Sequence, residues 1–131
     1  MSILLDRHVL ENGVVVEFFD RSNRYFGDYH RICIDVSCRI PLSADIFGTA
    51  GDAEDKVRRA RSVLGDEAIY RRTLDRMGVA GAEVEETRQR MLDEFSRSNF
   101  PYLGSSEFPA RFVAKEMAGA RKPRHLFVPK P

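Results

Sequence analysis

The chain contains no tryptophan, two cysteines and only four lysines among its 21 basic residues. Two cysteines in 131 residues exclude a disulfide-stapled scaffold. Cys33 and Cys38 are five positions apart with no CxxC spacing and no cluster of further ligands around them, so neither a redox motif nor a zinc motif is present. The formal net charge of +1 leaves no global field to steer the molecule toward nucleic acid or an anionic membrane. No apolar run approaches the ~20 residues a membrane helix needs. The opening Met1-Ser2-Ile3-Leu4-Leu5-Asp6-Arg7 meets charge after three apolar residues, which is not the pattern of a signal peptide, so a cytoplasmic location is expected. What remains is an ordinary globular balance, 43% hydrophobic and 31% charged, which points to one core-forming domain over residues 1–131.

The first third reads as strands. Asn12-Gly13 between two apolar runs is a strong short hairpin signal, because a two-residue turn of this kind needs positive φ at both positions. That loop predicts Val9 opposite Val16, Leu10 opposite Val15 and His8 opposite Glu17, with Val9, Val14, Val16 and Phe18 on one face. From His30 to Ile40 the alternation is clean, with Ile32, Ile34, Val36, Cys38 and Ile40 on one side and Arg31, Cys33, Asp35, Ser37 and Arg39 on the other. Five residues at ~3.3 Å each put the two sulfurs too far apart to bridge; Cys38 is expected in the core and Cys33 is a candidate exposed thiol, with inert structural thiols the favoured state of both.

The rest reads as helices. Ala53, Val57, Ala60 and Leu64 form a narrow apolar stripe that ends at Gly65. Asp66 is placed to cap a second helix carrying Ile69, Tyr70, Thr73, Leu74 and Met77 up to Gly78. Val84, Met91, Leu92 and Phe95 mark a third before Pro101, and Phe112, Val113 and Met117 a fourth, capped by Ser106 and stopped by Gly119. The expected fold is α+β, an antiparallel meander of about three strands over 1–41 packed against a layer of about four helices over 52–120, followed by a basic tail over 121–131.

Catalytic constellations are not legible. Gly48 and Gly51 precede a helix start, but Asp52, Glu54 and Asp55 in its first turn repel a phosphate. The charges at Glu54/Arg58, Asp55/Arg59, Arg71/Asp75 and Glu86/Arg90 have the i,i+4 spacing of solvated helix faces. His8, His30 and His125 lie in separate segments, so no metal site, cofactor site or catalytic residue is assigned. The stretch from Asp20 to His30 is the richest in binding groups, with Arg21, Asn23, Arg24, Tyr25, Asp28 and His30 in one strand connection, a composition suited to interfaces. Its structural alternative is a wide loop closed by its own Arg and Asp contacts.

The run Leu10-Glu11-Asn12-Gly13, then Glu17-Phe18-Phe19-Asp20-Arg21-Ser22, then Gly27-Asp28 resembles the opening of small uncharacterised bacterial proteins. The resemblance spans about the first third of the chain and implies no activity, ligand or catalytic residue. The expectation is therefore a non-catalytic binding module that self-associates or binds a protein partner. Its alternatives are a small enzyme with a site assembled from distant residues around His30, Asp28, Arg21 or Arg39, and nucleic-acid binding through the basic tail, with Arg121, Lys122, Arg124 and Lys130 contacting phosphates. Inside the basic tail, Leu126, Phe127 and Val128 form an apolar run expected to dock on a sheet edge or on a second copy.

Overall fold

The computed structural model describes residues 2–48 and 51–121. In chain order the elements are strands β1 (Ile3–Val9), β2 (Val15–Asp20), β3 (Asn23–Phe26) and β4 (Tyr29–Pro41), a 3-10 turn at Ala44–Phe47, helix α1 (Ala53–Leu64), strand β5 (Glu67–Ala80), and helices α2 (Val84–Leu103) and α3 (Phe108–Arg121). The class is α+β, a five-stranded antiparallel sheet with three helices. β4 is the central strand. On one side it pairs with β2 and β3, which lie end to end in one register: Asp20 faces Ile34 and Asn23 faces Arg31. On the other it pairs with β5 from Tyr29 to Pro41, and β1 completes the sheet outside β2.

The alternation of β4 decides which face the helices cover. Ile32, Ile34, Val36, Cys38 and Ile40 are buried beside Val14, Val16 and Phe18, and against them pack Ala60 of α1, Met91, Leu92 and Phe95 of α2, and Phe108 and Val113 of α3. Full burial of each large apolar side chain contributes ~1.5–3 kcal/mol. Phe18 anchors the centre, with the Phe95 ring edge-on at 5.7 Å and the Phe100 ring stacked at 6.3 Å. Tyr70, Phe108 and Phe112 form a second aromatic cluster under α3.

Several sequence expectations change here. The expected second helix over 66–77 is β5, so the layer over 52–120 is interrupted by a 14-residue strand and the helices number three, not four. Ala68, Tyr70, Arg72 and Leu74 face the core side, opposite Ile40, Cys38, Val36 and Ile34, and long-range pairing with β4 overrides the helical spacing of the apolar residues. The first hairpin is one residue out of the expected register: Val9 faces Val15 and His8 faces Val16. Such a slip reverses faces, so Val9 is 63% exposed, and His8 does not meet Glu17 but lies against Phe18 and Phe100 with Nε2 2.9 Å from Asp6.

The cause is Asn12. Among the described residues none other than glycine has positive φ, so Asn12 does not, which excludes the two-residue turn; instead Gly13, at φ 90°, closes a three-residue loop in which Gly13 N–H donates to Leu10 O and Leu10 N–H to Val14 O. The Asn12 side chain is then free to accept from Val14 N–H and to donate to the carbonyls of Leu103 and Ser105, both at 2.7 Å. That fork satisfies carbonyls at the end of α2. Pro101 lies inside α2 rather than ending it, Ser105 rather than Ser106 accepts from Phe108 N–H at the start of α3, and α3 runs through Gly119.

These contacts make Asn12 the clasp between the first hairpin and the α2–α3 corner. Asn12→Ala strands three part-buried partners and is expected to cost about 1–3 kcal/mol in denaturant melts. A loss below about 0.5 kcal/mol would show that the corner is held elsewhere.

Candidate interaction surface

The Asp20–His30 stretch is not a loop. At the break between β2 and β3 the ladder continues through one main-chain bond, Arg21 N–H to Cys33 O at 2.7 Å, and through a side chain, with Ser22 Oγ accepting from Cys33 N–H at 3.0 Å and Ser22 N–H donating to Asp20 Oδ1. Asp20 is in turn met from α2 by Arg88 at 3.3 Å, a half-buried pair that ties the helix to the seam between β2 and β3. Beyond the seam, Asn23 and Arg24 pair with Arg31 and His30, and Phe26 faces Tyr29 across the turn Gly27-Asp28. Gly27 has φ 54° and Asp28 does not have positive φ, the signature of a type II′ hairpin turn.

The stretch therefore distributes the six expected binding residues along an arm rather than gathering them. Arg21 lies on the face away from the helices, donating from Nε and Nη2 to both oxygens of Asp35 at 2.7 and 3.1 Å. Asn23 is exposed opposite Arg31. Arg24 and His30 are a cross-strand pair, and His30 Nε2 is 3.9 Å from Asp28. Tyr25 is the extra residue of a bulge, its hydroxyl beside Gly78 of β5. Asp28 holds the tip to β5, accepting from Gly81 N–H through both its backbone oxygen and its carboxylate. The Arg24–Asp28 segment lines an open depression at the end of the arm. Arg39 is far from it in register, bound to Glu17 and Glu67.

Sequence spacing alone did not reveal the aromatic character of this end. Phe26 is 73% exposed, Tyr29 51% and Tyr25 45%, and Met77 is exposed on the adjoining stretch of β5. Four large apolar residues exposed at one end of a sheet are the kind of patch that monomeric surfaces avoid.

The uncovered sheet face is chemically different, because most of its charges are paired, with Arg71, opposite Ser37, the exception among the described residues. Arg7, Glu17, Arg39 and Glu67 form a ladder across β1, β2, β4 and β5. Arg31 binds Asp75 through two bonds of 2.9 Å, and Thr73 adds a hydroxyl to Asp35. Cys33 is not the exposed thiol that its face allowed but is fully buried, where Arg21–Asp35 and Arg31–Asp75 bracket it. Cys38 is free and buried in the core, and burial pushes its thiol up to about 11. The expected helical pair Arg71/Asp75 is not formed, since both lie on β5 and Asp75 is taken by Arg31.

Among the described residues no three His, Cys, Asp or Glu side chains are grouped to hold a metal ion, and no helix is long and apolar enough to cross a membrane. Leu126, Phe127 and Val128, with Lys122, Arg124 and Lys130, lie outside the described residues. Comparison with protein-family models, with curated proteins and with solved structures found no match for this chain.

The paired face carries a pH dependence. Hydrogen bonding from Arg21 holds Asp35 below the ordinary carboxylate range, and hydrogen bonding from Arg31 does the same for Asp75. A carboxylate with a lowered folded-state pKa binds fewer protons folded than unfolded, so its stabilisation is present above the unfolded value of ~3.9 and is lost as pH falls through the folded value. Thermal melts between about pH 5 and 2 should show the wild type losing stability more steeply than Asp35→Asn/Asp75→Asn. Added salt should narrow the gap, since these pairs are partly solvated. Equal slopes would mean that the pairs contribute nothing to folding.

Proposed function

We propose that this protein is a non-catalytic interaction module of the bacterial cytoplasm that self-associates through the end of the β3–β4 arm. The observation that carries the reading is the exposed cluster Tyr25, Phe26 and Tyr29 with Met77. Aromatic residues and methionine are the types that interfaces concentrate in their centres, where desolvating them contributes most. The rim supports a second copy rather than an unrelated partner. Arg24 and Asp28 flank the aromatics with opposite charge, and a patch bearing both signs about an apolar centre is complementary to itself across a two-fold axis. The arm is built to be rigid, with its strands paired to the tip and the tip bonded to Gly81, so that little order has to be gained on association.

The residues that the enzyme alternative requires are spread over the sheet, with Arg21 and Arg39 in ion pairs on the uncovered face and His30 beside Arg24 at the arm. The nucleic-acid alternative depends on the tail.

Light scattering coupled to size-exclusion chromatography tests the reading. At roughly 100 μM, where a micromolar interface is nearly saturated, the wild type is expected to be a dimer or larger. Phe26→Ser/Tyr29→Ser is expected to be monomeric with a nearly unchanged melting temperature, because both side chains are exposed. A monomeric wild type, or an oligomer indifferent to the double variant, contradicts it.

A further inference from the structure

β5 pairs with β4 alone, so along its other side the main chain is an open sheet edge among the described residues. That edge does not face bulk solvent on a flat surface. Five successive residues, Arg72 to Arg76, form one wall of a cleft of about 370 Å³ whose other wall is α2. A strand edge running beside a helix is the arrangement in which an extended peptide adds as a further strand, held by main-chain hydrogen bonds and selected by alternate side chains.

The side chains facing the cleft state what that peptide must carry. Arg72, Leu74 and Arg76 lie opposite Val36, Ile34 and Ile32, hence all on the helix side of the sheet. Neither arginine is in an ion pair among the described residues, whereas on the other face Arg7, Arg21, Arg31 and Arg39 are, leaving Arg71 as the one β5 arginine there outside a pair. Arg72 lies over the Phe95 ring, 5.8 Å from its centre, which orients the guanidinium without neutralising it. Leu74, Met91 and Phe95 supply the apolar part of the lining, beside the polar Thr73, Ser98 and Asn99. The acids lining the cleft are Asp75, already bound by Arg31, and Glu94 on the helix wall.

We infer that the β5–α2 cleft binds an extended acidic peptide segment as an additional strand, with carboxylates four residues apart on Arg72 and Arg76 and an apolar side chain midway over Leu74 and Phe95. Four residues of strand span ~13 Å, so a segment of matching rise brings both carboxylates into register together. A second copy of this chain is a poor occupant: residues 71–76 hold three arginines and one aspartate, and two such edges repel. This inference does not rest on self-association through the arm.

Fluorescein-labelled nine-residue peptides, valine- and threonine-rich with glutamates at the third and seventh positions, test it by anisotropy on the full chain at about 50 mM salt. The acidic peptide is expected to bind at least about tenfold more tightly than its glutamine counterpart. N-methylation of alternate peptide amides, which keeps the charges but removes strand donors, is expected to abolish binding. In the Arg72→Gln/Arg76→Gln protein the preference for glutamate over glutamine is lost, and on the wild type the peptide shifts backbone amide resonances of residues 72–76. No binding at about 1 mM, equal binding of the N-methylated peptide, or an unchanged preference in the double variant overturns the proposal. So does concentration-dependent protection of the β5 amides without peptide, which would make a second copy the occupant. Phe26→Ser/Tyr29→Ser is expected to bind the peptide like the wild type, which separates this site from the arm.

Discussion

Everything in the molecule is hung on one strand with two partners. β4 is paired along both sides for most of its 13 residues, and its strict alternation sends five apolar side chains to the helices and five polar or thiol-bearing ones the other way. Burying the first set drives the helices onto one face, and the same period leaves the second set to neutralise itself with its neighbours on β2 and β5. The arm, the paired face and the open edge of β5 are each a consequence of where β4 begins, which way its side chains point and which strands flank it.

That strand was legible from its alternation alone, as were α1 with its Gly65 stop and the Met91, Leu92, Phe95 stripe of α2. β5 was not, for a physical reason. Its core-side positions are Ala68, Tyr70, Arg72 and Leu74, and the arginine that interrupts them is tolerated because its guanidinium covers the Phe95 ring. Without that contact in view, the apolar residues of 69–77 fall on a helical spacing. The hairpin register failed because the Asn-Gly signal describes a turn in isolation, whereas Asn12 is committed to carbonyls some 90 residues away. Cys33 obeyed the alternation, but its full burial was not legible, because period tells which face a residue occupies and not what covers it there.

Of the candidate residues that the sequence suggested, Arg24, Tyr25 and Asp28 line one depression. They stand at the end of a paired arm, not in a loop, and the groups that make the patch distinctive, Phe26, Tyr29 and Met77, were unremarked because exposure of an apolar side chain is a tertiary property. Arg72 and Arg76 were equally hidden, since on a helix they would have been two more solvated cations. The arm and the cleft differ in chemistry, one aromatic and bearing both signs, the other cationic with a partly apolar lining and main-chain groups to offer. Taken together, the two proposals describe a module that assembles copies of itself while holding an extended partner.

The claim on which both surfaces depend is that residues 67–80 are a strand with one partnered side and one open side. Amide hydrogen exchange followed by NMR reads this directly, because only alternate residues of an antiparallel edge strand point their N–H groups at the neighbour. The account predicts slow exchange along the length of β4 and, over 67–80, slow and fast amides in alternation. Continuous protection from 67 to 77 would instead reveal a helix or a covered edge, and would contradict it.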